Sequence, residues 1–400
     1  MKPLAIMLIA GEASGDLLAA ELVGALRQKV VANSLDETAD VQPLHTALAP
    51  RFFGAGGPKM AAAGVELAFD LTQHSVIGIS DVFKNILKFR RLFQQLLRLA
   101  IERQPDVIIG VDYGGFNLRF GKAIKNHVRK HRKEFVPWNP KIVQFVSPQV
   151  WASRPGRAYT LADNYDLLLS IFPFEKSWYA QRVPKLRVEF VGHPMMGRTL
   201  KPEVQSLKSG IAPLVLLLPG SRADEVRRHW PVVTGAFESM RRAVPALRGK
   251  MILPNETLLQ SVKTLALPAG LQLQVGGLTD ALAEADLAIT KSGTITMECA
   301  AFGVPAVVFY KTSWPTYVIG KQIINVKYLA MPNLLAGEEI FPEFIQDAAT
   351  PENVSQAALE LLRNESRRKA VQAKLAQIIA TLGGPGAAER AAAAITNLPS

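Results

Sequence analysis

The chain has 400 residues, 48% hydrophobic and 20% charged, which implies two domains or one large one and excludes disordered, collagen-like, coiled-coil and low-complexity classes. Its net charge of +12 comes from one stretch, since residues 81–200 hold 21 Lys+Arg against 9 Asp+Glu and the rest balances; either this is a solvated basic face, or the partner is anionic: nucleic acid, a membrane surface or a phosphorylated substrate. The single cysteine, Cys299, excludes an internal disulfide and no Cys/His cluster has zinc spacing, so a reducing compartment fits best.

Leu4–Ala10 reads as a buried strand. Met1-Lys2 before it imitates a signal peptide, but the apolar run is short and Glu12 and Asp16 follow at once. A helix over Ala19–Gln28 comes next, then a polar surface excursion over 31–50 and a strand at Arg51–Gly57. Val82–Glu102 reads as a long amphipathic helix, Asp106–Val111 as a buried strand, and Phe120–Lys133 as a basic helix. Ile142–Val146 and Asp166–Ile171 are further strands. Residues Val191–Gly210 have linker composition, and the pattern then restarts. Strands at Leu214–Leu218, Lys250–Leu253, Ala285–Thr290 and Pro305–Tyr310 alternate with helices at Glu225–Ala243 and Thr294–Phe302. Pro351–Asn397 is almost all helical. Such alternation predicts parallel sheets wrapped by helices, here an α/β chain of two Rossmann-like doubly wound lobes facing a cleft. The expected division is 1–195, 196–375 and a C-terminal helical segment 376–400 of undetermined packing partner. No apolar run approaches the roughly 18 residues that span a bilayer.

Four turns carry the candidate chemistry. Gly11-Glu12-Ala13-Ser14-Gly15-Asp16 joins the first strand to a helix; it either lets backbone approach a ligand or is an ordinary turn capped by Ser14 or Asp16. It is neither a Walker A loop nor Gly-x-Gly-x-x-Gly. Asp112, in Gly110-Val111-Asp112-Tyr113-Gly114-Gly115-Phe116-Asn117, stands at the carboxyl end of a buried strand, where desolvation tunes a general base; the plainer alternative is a loop aspartate bonding its own turn. Pro219-Gly220-Ser221-Arg222 closes the first strand of the second half and suits an oxyanion, with Arg222 able to bridge phosphate oxygens; the plainer alternative is a surface arginine after a tight turn. Lys291-Ser292-Gly293-Thr294 opens a helix whose amides suit a pyrophosphate, and Glu298 one turn on can accept ribose hydroxyls; the plainer alternative is a common strand–Gly–helix turn without a ligand. His127 and His131 stand i, i+4 among Lys and Arg, a basic face rather than a metal site. Cys299 reads as core.

These turns, in this order, resemble the lipid-A-disaccharide synthase family, inverting and metal-independent glycosyltransferases of the GT-B fold. The resemblance covers nearly the whole chain. It also takes in Val76-Ile77-Gly78, Val146-Ser147-Pro148-Gln149-Val150-Trp151-Ala152, Phe172-Pro173-Phe174-Glu175-Lys176, Val191-Gly192-His193-Pro194 and Met331-Pro332-Asn333-Leu334-Leu335-Ala336-Gly337. It implies transfer of a sugar from UDP-2,3-diacylglucosamine to the 6-hydroxyl of 2,3-diacylglucosamine 1-phosphate, giving a β-1,6 disaccharide and UDP. Asp112 aligns with the family's candidate base, and Arg222 is its expected catalytic companion. Gly11, Glu12, Ser14, Asp16, Asn117, Ser147, Gly220, Ser221, Ser292, Gly293, Thr294 and Glu298 are the expected substrate-binding residues, with no metal and no cofactor. The implied partners are the two acylated sugars and an anionic membrane surface, with no nucleic acid and a homodimer among the assemblies to be tested. The implied setting is cytoplasmic, peripheral on the inner membrane.

The chain departs from the family pattern at Gly115, where a second acid is usual, and at Ser153, where a tryptophan is usual; Glu12 or Asp16 is the nearest replacement for that acid. The excursion over 31–50 is longer than the family's. The competing readings are a UDP-sugar epimerase or another glycosyltransferase of the same fold, a nucleic-acid-binding protein, and a catalytically dead membrane protein of the same fold. The last is disfavoured by Asp112, Arg222 and Glu298, and the nucleic-acid reading by the lack of zinc spacing or an aromatic RNA-binding motif.

Overall fold

The computed structural model describes residues 3–37, 50–74, 79–131, 138–197 and 212–399, with backbone alone for 31–37, 74, 79–86 and 319. Val76-Ile77-Gly78, most of the 31–50 excursion, the linker from 198 and the side chain of Lys84 lie outside the described residues. The chain divides into two compact units, Met1–Gly197 with Leu382–Ser400, and Arg198–Thr381.

The first unit holds a seven-stranded sheet of β1 (Ala5–Ala10), β2 (Arg51–Gly56), β3 (Glu66–Asp70), β4 (Val107–Val111), β5 (Lys141–Phe145), β6 (Leu167–Ser170) and β7 (Val188–Phe190), in the order β3-β2-β1-β4-β5-β6-β7. The second holds β8 (Leu214–Leu218), β9 (Arg248–Leu253), β10 (Leu271–Val275), β11 (Leu287–Lys291), β12 (Ala306–Tyr310) and β13 (Glu343–Ile345), in the order β10-β9-β8-β11-β12-β13. Every pairing is parallel. The central strands β1, β4 and β8 are buried at every residue, as continuous apolar runs require when helices cover both faces. One device recurs at the amino ends of neighbouring strands. An aspartate just before a strand accepts an N–H from the first or second residue of its neighbour, Asp106 from Ala5, Asp166 from Ile142 and Asp286 from Leu214, each at 2.8 Å.

The first helix runs over Ala13–Glu37, so it extends past Gln28 into the stretch read as an excursion. The basic helix is Gly114–Lys130, starting six residues before Phe120. The C-terminal segment expected over 376–400 is divided: the helix Glu365–Thr381 completes the second unit, and Ala387–Thr396 belongs to the first, packed on the helix that follows β1. Arg390 fixes that return, its guanidinium donating to Val191, Gly384 and Pro385 carbonyls at 2.7 Å each. Among the described residues no helix is long and apolar enough to cross a membrane.

Candidate active site

In each sheet the strand order reverses once, between β1 and β4 and between β8 and β11. Helices leave to opposite faces there, so the carboxyl ends of those strands open a crevice. The four turns singled out in the sequence are the four that border these two crevices.

At the first crevice the turns after β1 and β4 touch. A Cβ placed on Gly11 would lie 2.3 Å from the Tyr113 ring, so only glycine fits against it. Asp112 and Tyr113 are successive left-handed residues, with φ of 51° and 45°, and Val146 at the end of β5 has φ 66°. A β-branched residue in that region is strained and needs outside support. Gln144, fully buried in β5, supplies it: its Nε2 donates to the carbonyls of Asp112 (2.9 Å), Val146 (3.2 Å) and Phe145 (3.3 Å). The Asn117 Nδ2 donates to the same Asp112 carbonyl at 2.8 Å, and the Asp112 N–H donates to Phe145 at 2.9 Å. Asp112 is therefore held by its backbone on three sides. Desolvation pushes its carboxyl above the ordinary aspartate value, the direction that favours a general base working near neutral pH.

Three residues expected to bind substrate have other tasks. Asp16 is buried, and its carboxylate accepts the N–H groups of Gly57 (2.8 Å), Lys59 (2.9 Å) and Met60 (3.0 Å). It caps the helix Pro58–Ala62, whose own N-cap, Gly57, has no side chain to do so. Asn117 is buried beneath the Asp112 turn and holds it. Ser147 is buried with its hydroxyl 3.1 Å from the Tyr179 hydroxyl. Of the remainder, Glu12 is half-buried and its charge raises the Tyr113 phenol, after burial as the main cause. Ser14 and Gly115 are exposed. Behind Ser147, the fully buried Glu175 accepts the Trp151 indole N–H at 3.0 Å, joining two of the stretches that carry the sequence resemblance; burial pushes its carboxyl up to about 7.

At the second crevice lies a cavity of about 310 Å³. Its lining includes apolar Leu218, Ile252, Pro254, Leu278 and Ile295, and also Gly220, Ser221, Lys291, Thr294 and Glu298. The first set suits the flat apolar faces of a base, the second a charged and hydroxylated group. Gly220 has φ 135°, and a Cβ there would stand 2.8 Å from Glu225 Oε2. Arg222 is the N-cap of the helix Ala223–Ala243, its side chain 61% exposed and its NH1 3.6 Å from Glu225 Oε1. Buried His229 reaches the Pro219 carbonyl at 2.5 Å and the Lys311 carbonyl at 3.0 Å, pinning this turn from below. The Ser292 amide is spent on Phe309 O (3.0 Å) and its hydroxyl on Leu329 O (2.9 Å), so Ser292 braces the turn instead of offering its amide to a phosphate. The helix beyond, Ile295–Ala301, has only seven residues, so side-chain cations carry more of any anion binding than the sequence implied.

Two parallel-sheet α/β units, each with its crevice at the reversal of strand order, define the GT-B class of fold. Solved structures agree: a putative UDP-N-acetylglucosamine 2-epimerase from Listeria monocytogenes (TM-score 0.59, 16% identity, 98% of this chain and 96% of that one) and the calicheamicin glycosyltransferase CalG4 (TM-score 0.59, 16% identity, all of both chains) share the fold. The chain belongs to the lipid-A-disaccharide synthetase family, whose model matches residues 6–396. Lipid-A-disaccharide synthases of Syntrophus aciditrophicus (34% identity, 97% of this chain and 96% of that one) and Geobacter sulfurreducens (34% identity, 98% and 97%) are among its relatives.

Gln144, Lys291 and Glu225 are site residues that sequence reasoning did not select. A lone Gln inside the apolar run Ile142–Val146 was the available signal for the first. For Lys291 it was a cation at the end of a switch-point strand, and for Glu225 its place three residues after Arg222.

Proposed function

We propose that the cavity beside Lys291 and Glu298 holds the uridine diphosphate of a donor sugar and that Asp112 takes the proton from an acceptor hydroxyl. The chain is a glycosyltransferase of lipid A disaccharide synthesis. The observation that carries this reading is the family match over 6–396. The reaction joins UDP-2,3-diacylglucosamine to 2,3-diacylglucosamine 1-phosphate. The acceptor O6 attacks the anomeric carbon, the bond to the diphosphate breaks, and its electron pair leaves with UDP. One displacement inverts the anomeric centre, so one base suffices. A raised carboxyl pKa supports that role for Asp112, and the exposed guanidinium of Arg222, the residue after cavity-lining Ser221, supports its pairing with the departing diphosphate. Glu298 accepts the ribose hydroxyls. Glu298→Ala is expected to weaken UDP binding by about 1–3 kcal/mol, the scale of a hydrogen bond to a charged group. Calorimetry that finds unchanged UDP affinity in the folded variant removes Glu298 from the nucleotide site.

The acylated substrates imply a lipid surface, and the reading extends to a peripheral protein on the cytoplasmic face of the inner membrane. On the helix Ile79–Arg103, Lys88, Arg91, Gln95 and Arg98 are exposed along one face, while Leu96 is buried and Phe93 meets the Phe116 and Phe120 rings edge-on. Leu87 is 67% exposed among Arg90, Arg91 and Arg98. An apolar side chain set among cations suits an anionic interface. Each Lys or Arg there contributes about 1 kcal/mol, screened by salt. Replacing Lys84, Lys88 and Arg91 by Gln is expected to release the protein from anionic vesicles at lower salt with UDP binding unchanged. Wild-type protein that does not sediment with such vesicles at low ionic strength contradicts the surface assignment.

A further inference from the structure

The turn after β8 already contains an anion. Glu225 stands in the first turn of the helix Ala223–Ala243, and its carboxylate folds back over Gly220 and Ser221. Its Oε2 accepts the Ser221 N–H at 3.4 Å and lies 3.1 Å from the Lys291 ammonium. Its Oε1 is 3.2 Å from the same ammonium and 3.6 Å from Arg222 NH1. The Lys291 and Glu225 side chains are only 20% and 18% exposed, so the pair is poorly screened. A backbone N–H, an ammonium and a guanidinium converging on two carboxylate oxygens are the donor set that a phosphate takes. Gly220, Ser221 and Lys291 also line the cavity. A carboxylate at that place opposes a diphosphate unless it moves aside.

We propose that Glu225 is a built-in stand-in for the donor's diphosphate, holding Lys291 and Arg222 in place until the donor displaces it, and that Lys291 then neutralises the departing UDP. The inference rests on the nucleotide reading of this cavity and adds to it a second cation and an internal competitor. In the free protein the carboxylate keeps the lysine ordered and its charge compensated. When the donor binds, its diphosphate oxygens take over the ammonium and the guanidinium, and the Glu225 side chain rotates towards solvent. As the anomeric C–O bond breaks, negative charge accumulates on the diphosphate oxygen, and the Lys291 ammonium is there to meet it. No proton moves to or from Glu225, and no covalent bond to it forms.

The alternative task for Glu225 is purely structural: a carboxylate three residues into a helix reaching back to an N–H, as capping side chains do. Charge separates the two. Glu225→Gln keeps an acceptor oxygen for the Ser221 N–H and removes the competing anion. Titrating UDP and uridine by calorimetry into wild type, Glu225→Gln, Lys291→Met and Lys291→Arg compares a diphosphate-bearing ligand with one that lacks it. Glu225→Gln is expected to bind UDP about tenfold more tightly, and Lys291→Met about tenfold more weakly, the order of one charge-assisted hydrogen bond each. Uridine affinity stays unchanged in both, and Lys291→Arg restores most of the UDP affinity. The turnover of Lys291→Met also falls at saturating donor, because the cation acts on the leaving group. Weaker UDP binding in Glu225→Gln overturns the stand-in role, as does any parallel loss of UDP and uridine binding. Unchanged UDP affinity in Lys291→Met overturns the role of the lysine. If wild type binds UDP and Glu298→Ala weakens it while these variants do not respond, only this inference fails. If wild type binds neither ligand, the nucleotide reading of the cavity fails with it.

Discussion

Asp112→Asn is expected to lower turnover by about 10²–10⁴-fold, the range of general acid–base catalysis, with UDP binding intact. The substitution keeps the shape of the side chain and removes its basicity. Asparagine also tolerates the left-handed backbone that this position needs, φ 51°, so the turn held by Gln144 and Asn117 survives. The pH dependence follows from the raised carboxyl pKa. The base acts only when deprotonated, so kcat/KM rises with pH through that pKa. The acid limb is expected above the ordinary aspartate range, near 4, and disappears in Asp112→Asn. Turnover within a few-fold of wild type moves the base elsewhere. Glu12 is then the next candidate, since the Asp16 carboxylate is committed to three backbone N–H groups.

The largest effect on stability is expected at Asp16. Asp16→Ala leaves the N–H groups of Gly57, Lys59 and Met60 without their acceptor inside the first unit. Charge-assisted bonds and buried unsatisfied donors of this kind together amount to a loss on the order of 3–5 kcal/mol. Asp16→Asn, which keeps one acceptor oxygen, is expected to recover part of it. Urea unfolding followed by tryptophan fluorescence reads the difference. UDP binding measured on the folded fraction is expected to match wild type, because the proposed UDP site is in the second unit. A loss below about 1 kcal/mol in the alanine variant means that water replaces the carboxylate and that Asp16 is not an anchor.

The strands that sequence reading found are the central ones, β1, β2, β4, β5, β6, β8, β9, β11 and β12. The four it missed, β3, β7, β10 and β13, are the four sheet edges. Interior strands of a parallel sheet are buried on both faces and appear as apolar runs. An edge strand such as Glu66–Asp70 or Leu271–Val275 is partly exposed and mixes polar with apolar residues, so no such run marks it. The four chemical turns were legible because Gly and polar residues break those runs at the carboxyl ends. Which polar residue faces a ligand and which props the turn was not legible. Asp16, Asn117 and Ser147 stand beside Glu12, Asp112 and Gln149 in sequence, and only burial separates the first three from solvent. The capless start at Gly57-Pro58 was a sign that some distant acceptor had to close it. Tertiary structure alone identifies Asp16 as that acceptor.

Product analysis tests the assigned reaction most directly. Purified protein is incubated with UDP-2,3-diacylglucosamine and 2,3-diacylglucosamine 1-phosphate, and the products are identified by mass spectrometry and by the anomeric coupling of the new linkage. The expected products are a β-1,6-linked tetraacyl disaccharide 1-phosphate and UDP in equal amounts, both lost when either sugar is omitted. An epimerised donor, an α linkage, or UDP released without disaccharide would contradict the assignment.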